Sequence, residues 1–66
     1  MQVHDQAVAE IEHAEAVGGS LEKISEARRK LADAERLAAA GNYQEATKQA
    51  YEAIGKAREA IGEDEE

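Results

Sequence analysis

The chain has 66 residues, with 15 acidic and 8 basic side chains that give a net charge of −7, and it contains no cysteine, proline, tryptophan or phenylalanine. This length allows one small domain, and the absence of cysteine excludes a disulfide framework, a thiolate nucleophile and cysteine-ligated zinc. The negative charge opposes nucleic-acid phosphates, and no apolar run approaches the roughly 20 residues that span a bilayer. We therefore expect no nucleic-acid partner and no membrane insertion.

Three helical segments follow from apolar residues that recur at about 100° per residue. The first covers about residues 2–17 and the second about 20–40, each with an apolar face of alanine and branched aliphatic residues. The third, about 42–61, carries a stripe of alanines that includes Ala50 and Ala53. Because alanine lets two backbones approach closely, we expect a larger residue in this stripe to overpack the bundle.

Residue types at the ends of these segments suit helix stops and starts. Gly18, Gly41 and Gly62 suit the left-handed position that follows a helix, where a side chain would clash. Ser20 and Asn42 suit N-caps, because their side-chain oxygens can accept a hydrogen bond from a free backbone N–H. We therefore predict these five residues as structural turns and caps.

The connections between the predicted helices have only two or three residues, so consecutive helices must run antiparallel. The sequence therefore predicts an all-α, up-down-up three-helix bundle. We expect a single three-helix domain over residues 1–62, followed by an acidic tail at 63–66. Alanine supplies 15 residues and valine, isoleucine and leucine together only ten, so the predicted core is thin and its stability marginal or completed by a neighbouring chain.

Two histidines are the only residues that suggest metal binding. His4 and His13 are nine residues apart, which places them on opposite sides of one helix, so they cannot share an ion. We expect no metal site and no cofactor, and a weak metal-buffering protein that uses histidines and carboxylates is kept as an alternative. His4 lies near the predicted loop at Gly41, and we hypothesise a packing or hydrogen-bond contact with Tyr43.

One side of the third helix carries residue types that are favoured in protein interfaces. Gln44, Tyr51 and Arg58 are spaced by seven residues, and Gly55 lies beside them within the helix, where glycine costs about 1 kcal/mol relative to alanine. Tyrosine and arginine are enriched at interfaces, and glycine admits close approach. We predict these four residues as a candidate interface for another protein or for self-association. The plainer interpretation is an ordinary boundary tyrosine and a tolerated glycine.

Part of the chain resembles a known repeat. The run Gly-Asn-Tyr-Gln-Glu-Ala at 41–46, followed by Tyr51 and Ala53-Ile54, resembles the second helix of a tetratricopeptide repeat. The likeness covers residues 41–54 and implies a helical hairpin. Because no second copy follows, it does not imply that family's peptide-binding groove.

A wider pattern covers nearly the whole chain. It runs Ala9-x-Ile11-x-x-Ala14-Glu15-x-x-Gly18, then Ala27-Arg28-x-Lys30-Leu31-Ala32-x-Ala34-Glu35, then Gly41-Asn42-Tyr43-x-x-Ala46. This pattern resembles an uncharacterised family of alanine-rich helical domains from prokaryotic envelope proteins. The family carries no catalytic residue, so the resemblance implies a structural or binding role.

Together these features favour a non-catalytic structural or protein-interaction helical module, with no enzymatic activity and no small-molecule substrate. A designed or fragment-derived scaffold without biological function is the alternative, because glycine stops and helix caps are what a designer would write. The first residues lack the basic and apolar segments of a signal peptide. We therefore expect a cytoplasmic location by default, unless the chain is a fragment of an envelope protein.

Overall fold

The computed structural model describes residues 2–62. Within that range it contains three helices and no strand: α1 at Gln2–Ala16, α2 at Leu21–Ala39 and α3 at Tyr43–Ala60. The ion pairs His4–Glu35 and Glu15–Arg28 show that α1 and α2 run antiparallel, and the pairs Lys23–Glu59 and Lys30–Glu52 show the same for α2 and α3. All three helices pack against one another, so the predicted up-down-up three-helix bundle is confirmed. The bundle measures 34 × 20 × 18 Å. The predicted acidic tail at 63–66 lies outside the described residues.

Each of the two longer helices begins at a side-chain cap. The Ser20 hydroxyl accepts a hydrogen bond from the backbone N–H of Lys23 at 3.4 Å, and the Asn42 side chain accepts one from Glu45 at 3.4 Å. These bonds satisfy backbone donors that the first turn of a helix leaves free. A glycine with positive φ follows each helix: Gly18 at 75°, Gly41 at 86° and Gly62 at 77°.

The buried core draws on all three helices and consists mainly of alanine. Ile11 is the largest side chain that is fully buried. Because small side chains bury little area, the stability of the bundle depends on close approach of the helices rather than on large apolar residues. The buried residues that form one apolar cluster at the centre of the bundle are Ala7, Ile11, Ala14, Ile24, Ala27, Leu31, Ala53, Ile54, Ala57 and Ala60.

The connection between α1 and α2 packs tightly against the end of α3. The backbone N–H of Ser20 donates a hydrogen bond to the carbonyl oxygen of Ala60 at 2.9 Å. A Cβ atom at Gly19 would lie 2.9 Å from that same oxygen and 2.9 Å from Cγ2 of Ile61. Only glycine fits at this position without a shift of the backbone. The residue pattern gave no sign of this role, because the contact joins residues about 40 positions apart.

Candidate functional site

The structure places the four predicted interface residues along one side of α3. Gln44, Tyr51, Gly55 and Arg58 are spaced by seven, four and three residues, so they follow one another along the same side of the helix. Gln44 and Tyr51 are exposed, and Gly55 is partly exposed. Arg58 is turned toward α1, where its Nη2 atom lies 3.5 Å from Oε2 of Glu10. The first three residues therefore form an open surface, while Arg58 helps to hold α1 against α3.

Gly55 has no role in the packing or the backbone geometry of the bundle. A Cβ atom built there meets no heavy atom within 4 Å beyond its chain neighbours and the adjacent backbone of its own helix, and its φ is not positive. A glycine inside a helix costs about 1 kcal/mol relative to alanine. The contacts within the bundle therefore do not account for this loss of helix stability. The missing side chain leaves an open gap one turn from Tyr51.

The only two aromatic residues of the chain both lie outside the core. Tyr43 is 65% exposed and Tyr51 is 60% exposed. Aromatic side chains bury more apolar area than any other residue type, and this core is short of apolar area. The bundle therefore leaves both rings accessible to solvent or to a partner. Tyr43 opens α3 next to the Asn42 cap, whereas Tyr51 lies beside the gap at Gly55.

Lys48 also belongs to this open surface, between Gln44 and Tyr51. It is exposed, and within residues 2–62 it forms no ion pair closer than 4.0 Å. We call Gln44, Lys48, Tyr51 and Gly55 the outer strip of α3. The sequence pattern does not predict Lys48 as part of an interface, because a lysine on an amphipathic helix is usually a solvated residue. Only the structure shows which lysines have acidic partners.

The flank of α3 that faces α2 differs, because its charges are paired across the two helices. The hydrogen bond between Lys30 and Glu52 raises the pKa of the Lys30 ammonium and lowers the pKa of the Glu52 carboxyl. We call this arrangement the charge ladder, and its alternating signs favour one antiparallel register of the two helices. It consists of Lys23–Glu59 at 3.3 Å, Glu26–Lys56 at 3.5 Å and Lys30–Glu52 at 2.9 Å.

Two of the four acidic residues of α1 face basic residues of the other helices. Glu15 forms an ion pair with Arg28 of α2, whose Nε atom lies 3.1 Å from Oε2 of the carboxylate. Glu10 pairs with Arg58 of α3. These contacts give an attraction between α1 and its two neighbours. They also engage one of the four predicted interface residues within the bundle.

The two ring nitrogens of His4 face carboxylates and not the hydroxyl of Tyr43, whereas a packing contact with Tyr43 stays a hypothesis. Nε2 of His4 lies 2.6 Å from Oε2 of Glu35 on α2, and Nδ1 lies 3.6 Å from Asp5. The hydrogen bond to Glu35 raises the pKa of the His4 imidazole. A carboxylate attracts the imidazole more strongly than a phenol does, and Glu35 lies on the side of α2 that faces α1.

The grooves on the described part of the chain are open to solvent, and the one at Gly55, of about 410 Å³, is bordered by Lys30, Glu52, Lys56 and Glu59. Another groove of about 420 Å³, open to solvent, lies near the tip of the α2–α3 hairpin between Leu37, Ala40 and Gln49. Residues 2–62 contain no group of three or more side chains that could hold a metal ion. In the same range no helix has the length and apolar character to cross a bilayer.

When the chain is compared with known proteins, no family model, curated protein or solved structure matches it. The structure itself establishes a small, all-helical domain of three helices. The resemblances to the alanine-rich envelope family and to the tetratricopeptide hairpin stay predictions. The function therefore has to be inferred from the surface of the bundle itself.

Proposed function

We propose that the chain is a non-catalytic helical module that binds another protein chain through the outer strip of α3. The observation that carries this proposal is Gly55, a glycine in the middle of a helix where a Cβ atom would meet nothing within 4 Å. Since the bundle itself does not need a glycine there, its small size serves a partner that approaches the backbone of α3 closely.

Tyr51 supplies the large side chain that such a contact needs. A tyrosine presents a rigid apolar ring and a hydroxyl that hydrogen-bonds either to water or to a partner, and tyrosines are enriched among the residues that dominate binding energy. Next to Tyr51 lies the gap at Gly55, so a partner side chain could enter beside the ring. This combination supports a contact surface better than an isolated exposed tyrosine would.

The charge ladder supports the proposal by holding α3 in place. Its three pairs join α3 to α2 along the flank next to the outer strip. A surface that is already rigid loses less entropy when it binds, so more of the contact energy remains as affinity.

Site-specific photocrosslinking in cells that naturally produce the chain tests this proposal. Replacement of Tyr51 by the photoreactive residue p-benzoylphenylalanine is expected to give a discrete covalent adduct after irradiation. Replacement of Tyr43 is the matched control, because it is equally exposed on α3 but lies on another side of the helix. No adduct from position 51, or the same adducts from both positions, would contradict the proposal.

A further inference from the structure

We propose that the partner of the outer strip is a second copy of this chain, in an antiparallel pairing of two α3 helices. This inference rests on the proposed function and names the partner. It is based on a property of α3 that a binding surface for an unrelated protein does not need. The surface is complementary to itself in both shape and charge.

The shape complementarity involves Tyr51 and Gly55. In a pair of identical chains related by a two-fold axis, each contact occurs twice, with the roles of the two copies exchanged. Tyr51 lies two residues before Ala53 and Gly55 lies two residues after it. A two-fold axis at the level of Ala53 therefore places each Tyr51 ring over the other copy's Gly55. The space over that glycine is open.

The charge complementarity involves Lys48 of the outer strip and Glu59, which lies one turn beyond Gly55 and also belongs to the charge ladder. Lys48 lies five residues before Ala53 and Glu59 lies six residues after it, so the same axis brings the two together within one residue of register. At 100° per residue, positions 48, 51, 55 and 59 occupy an arc of about 80° on α3. Both contacts therefore form on one side of the helix.

The two charged residues are available for this contact. Lys48 has no ion pair closer than 4.0 Å within residues 2–62, and it is exposed. Glu59 is also exposed, and its Oε1 atom lies 3.3 Å from Lys23 and 3.8 Å from Lys56. A carboxylate accepts several hydrogen bonds at once, so Glu59 can accept a further one from Lys48 of a second copy.

The association is expected to be weak. One helix from each copy forms the contact, which is smaller than the interfaces of stable dimers, and two copies that each carry a charge of −7 repel one another. We expect a dissociation constant in the micromolar to millimolar range. Since no helix has to move to expose the strip, the structure of each copy should stay the same on binding.

Charge exchange between positions 48 and 59 tests the pairing. Sedimentation equilibrium of the purified chain over a roughly 100-fold concentration range measures the dissociation constant. Lys48→Glu and Glu59→Lys are each expected to weaken the dimer by about tenfold, because the two-fold axis repeats every change. The double variant is expected to restore the affinity to within about threefold of the original.

The matched controls make the same charge changes away from the strip. Arg29→Glu and Glu22→Lys alter exposed residues of α2, and they are expected to leave the dissociation constant unchanged. If Lys48→Glu and Arg29→Glu weaken the dimer equally, and Glu59→Lys and Glu22→Lys strengthen it equally, net charge governs the association and the proposed pairing is overturned.

A variant at Gly55 tests the shape complementarity without changing any charge. Gly55→Gln adds a long side chain where the structure has open space, and glutamine is a better helix former than glycine. It is expected to raise the melting temperature of dilute protein and to weaken the dimer by at least about tenfold. A folding defect cannot produce these two effects together. An unchanged dissociation constant would overturn the pairing.

The outcomes separate this inference from the proposed function. A chain that stays monomeric at every concentration, but forms an adduct with a different protein from position 51, overturns the second copy and supports the proposed function. A monomeric chain without any adduct overturns both. A dimer whose dissociation constant does not change with the substitutions at Lys48 and Glu59 shows that the copies meet elsewhere, which also overturns the pairing.

Discussion

Gly19 and Gly55 lie in two regions that differ in how much space a side chain would have: the first is tightly packed and the second is open. A Cβ atom at Gly19 would lie 2.9 Å from the carbonyl oxygen of Ala60, whereas one at Gly55 would meet nothing within 4 Å. The first glycine lets the α1–α2 connection touch the end of α3, and the second leaves a gap on the surface. The small size of Gly19 thus allows close packing within the chain, whereas the small size of Gly55 leaves space that a partner can fill.

The largest effect is expected from Ala50→Leu, on the side of α3 that faces the core. Ala50 is 0% exposed, so a leucine there must push the helices apart and should cost about 3 kcal/mol of unfolding free energy. Urea denaturation of the variant measures this loss. Ala32→Leu, at an exposed position of α2, is the control and should change stability by less than about 0.5 kcal/mol. Equal stability of the two variants would show that α3 is not closely packed.

Gly19→Ala is expected to lower the free energy of unfolding by about 2 kcal/mol, because the new methyl group meets a backbone oxygen that cannot move alone. The amide of Ser20, which donates to Ala60, should also lose protection from hydrogen exchange. If stability and protection are both unchanged, the connection is looser than the 2.9 Å contacts indicate.

The opposite sign is expected at the other glycine. Gly55→Ala should raise the free energy of unfolding of dilute protein by about 1 kcal/mol, since alanine is the better helix former and the methyl group has open space. Thermal unfolding followed by circular dichroism measures the gain. A loss of stability would mean that Gly55 is needed by the bundle, and the difference between the two glycines would disappear.

The positions of the helices could be predicted because the signals for them are local. Apolar periodicity, the caps at Ser20 and Asn42, and the glycines after each helix act on neighbouring residues, and the observed helices lie within the predicted ranges. Such signals depend on a few consecutive side chains and not on how the helices meet.

Contacts between helices could not be predicted in the same way. The charge ladder, the pair of His4 with Glu35 and the close approach at Gly19 all depend on the register between two helices. Apolar periodicity indicates which side of a helix is buried but not which residues of its neighbour lie opposite. For that reason Arg58 was included in the candidate interface and Lys48 was left out.

A small dependence of the free energy of unfolding on pH is expected from His4, which pairs with Glu35 between α1 and α2. The bond to Glu35 raises the pKa of His4 above its ordinary value of 6.5, so its stabilisation is complete below that value and is lost as the pH rises through the raised pKa. Glu35→Gln should therefore destabilise the chain more at about pH 6 than at about pH 9.

Proton NMR titration of the Glu35→Gln variant checks the cause, and the pKa of His4 should fall when the carboxylate is removed. Thermal unfolding at the two pH values checks the consequence for stability. The same loss of stability at both pH values, together with an unchanged pKa of His4, would show that the two side chains do not interact in solution.

Amide NMR spectra recorded at increasing concentration of the purified chain give the most direct test of the outer strip as the surface where two copies meet. We expect chemical shifts to change along Gln44, Lys48, Tyr51 and Gly55, and to stay constant in α1 and around Gly19. Spectra without any concentration dependence, or changes confined to other surfaces such as that around Leu21, would contradict the pairing of two α3 helices.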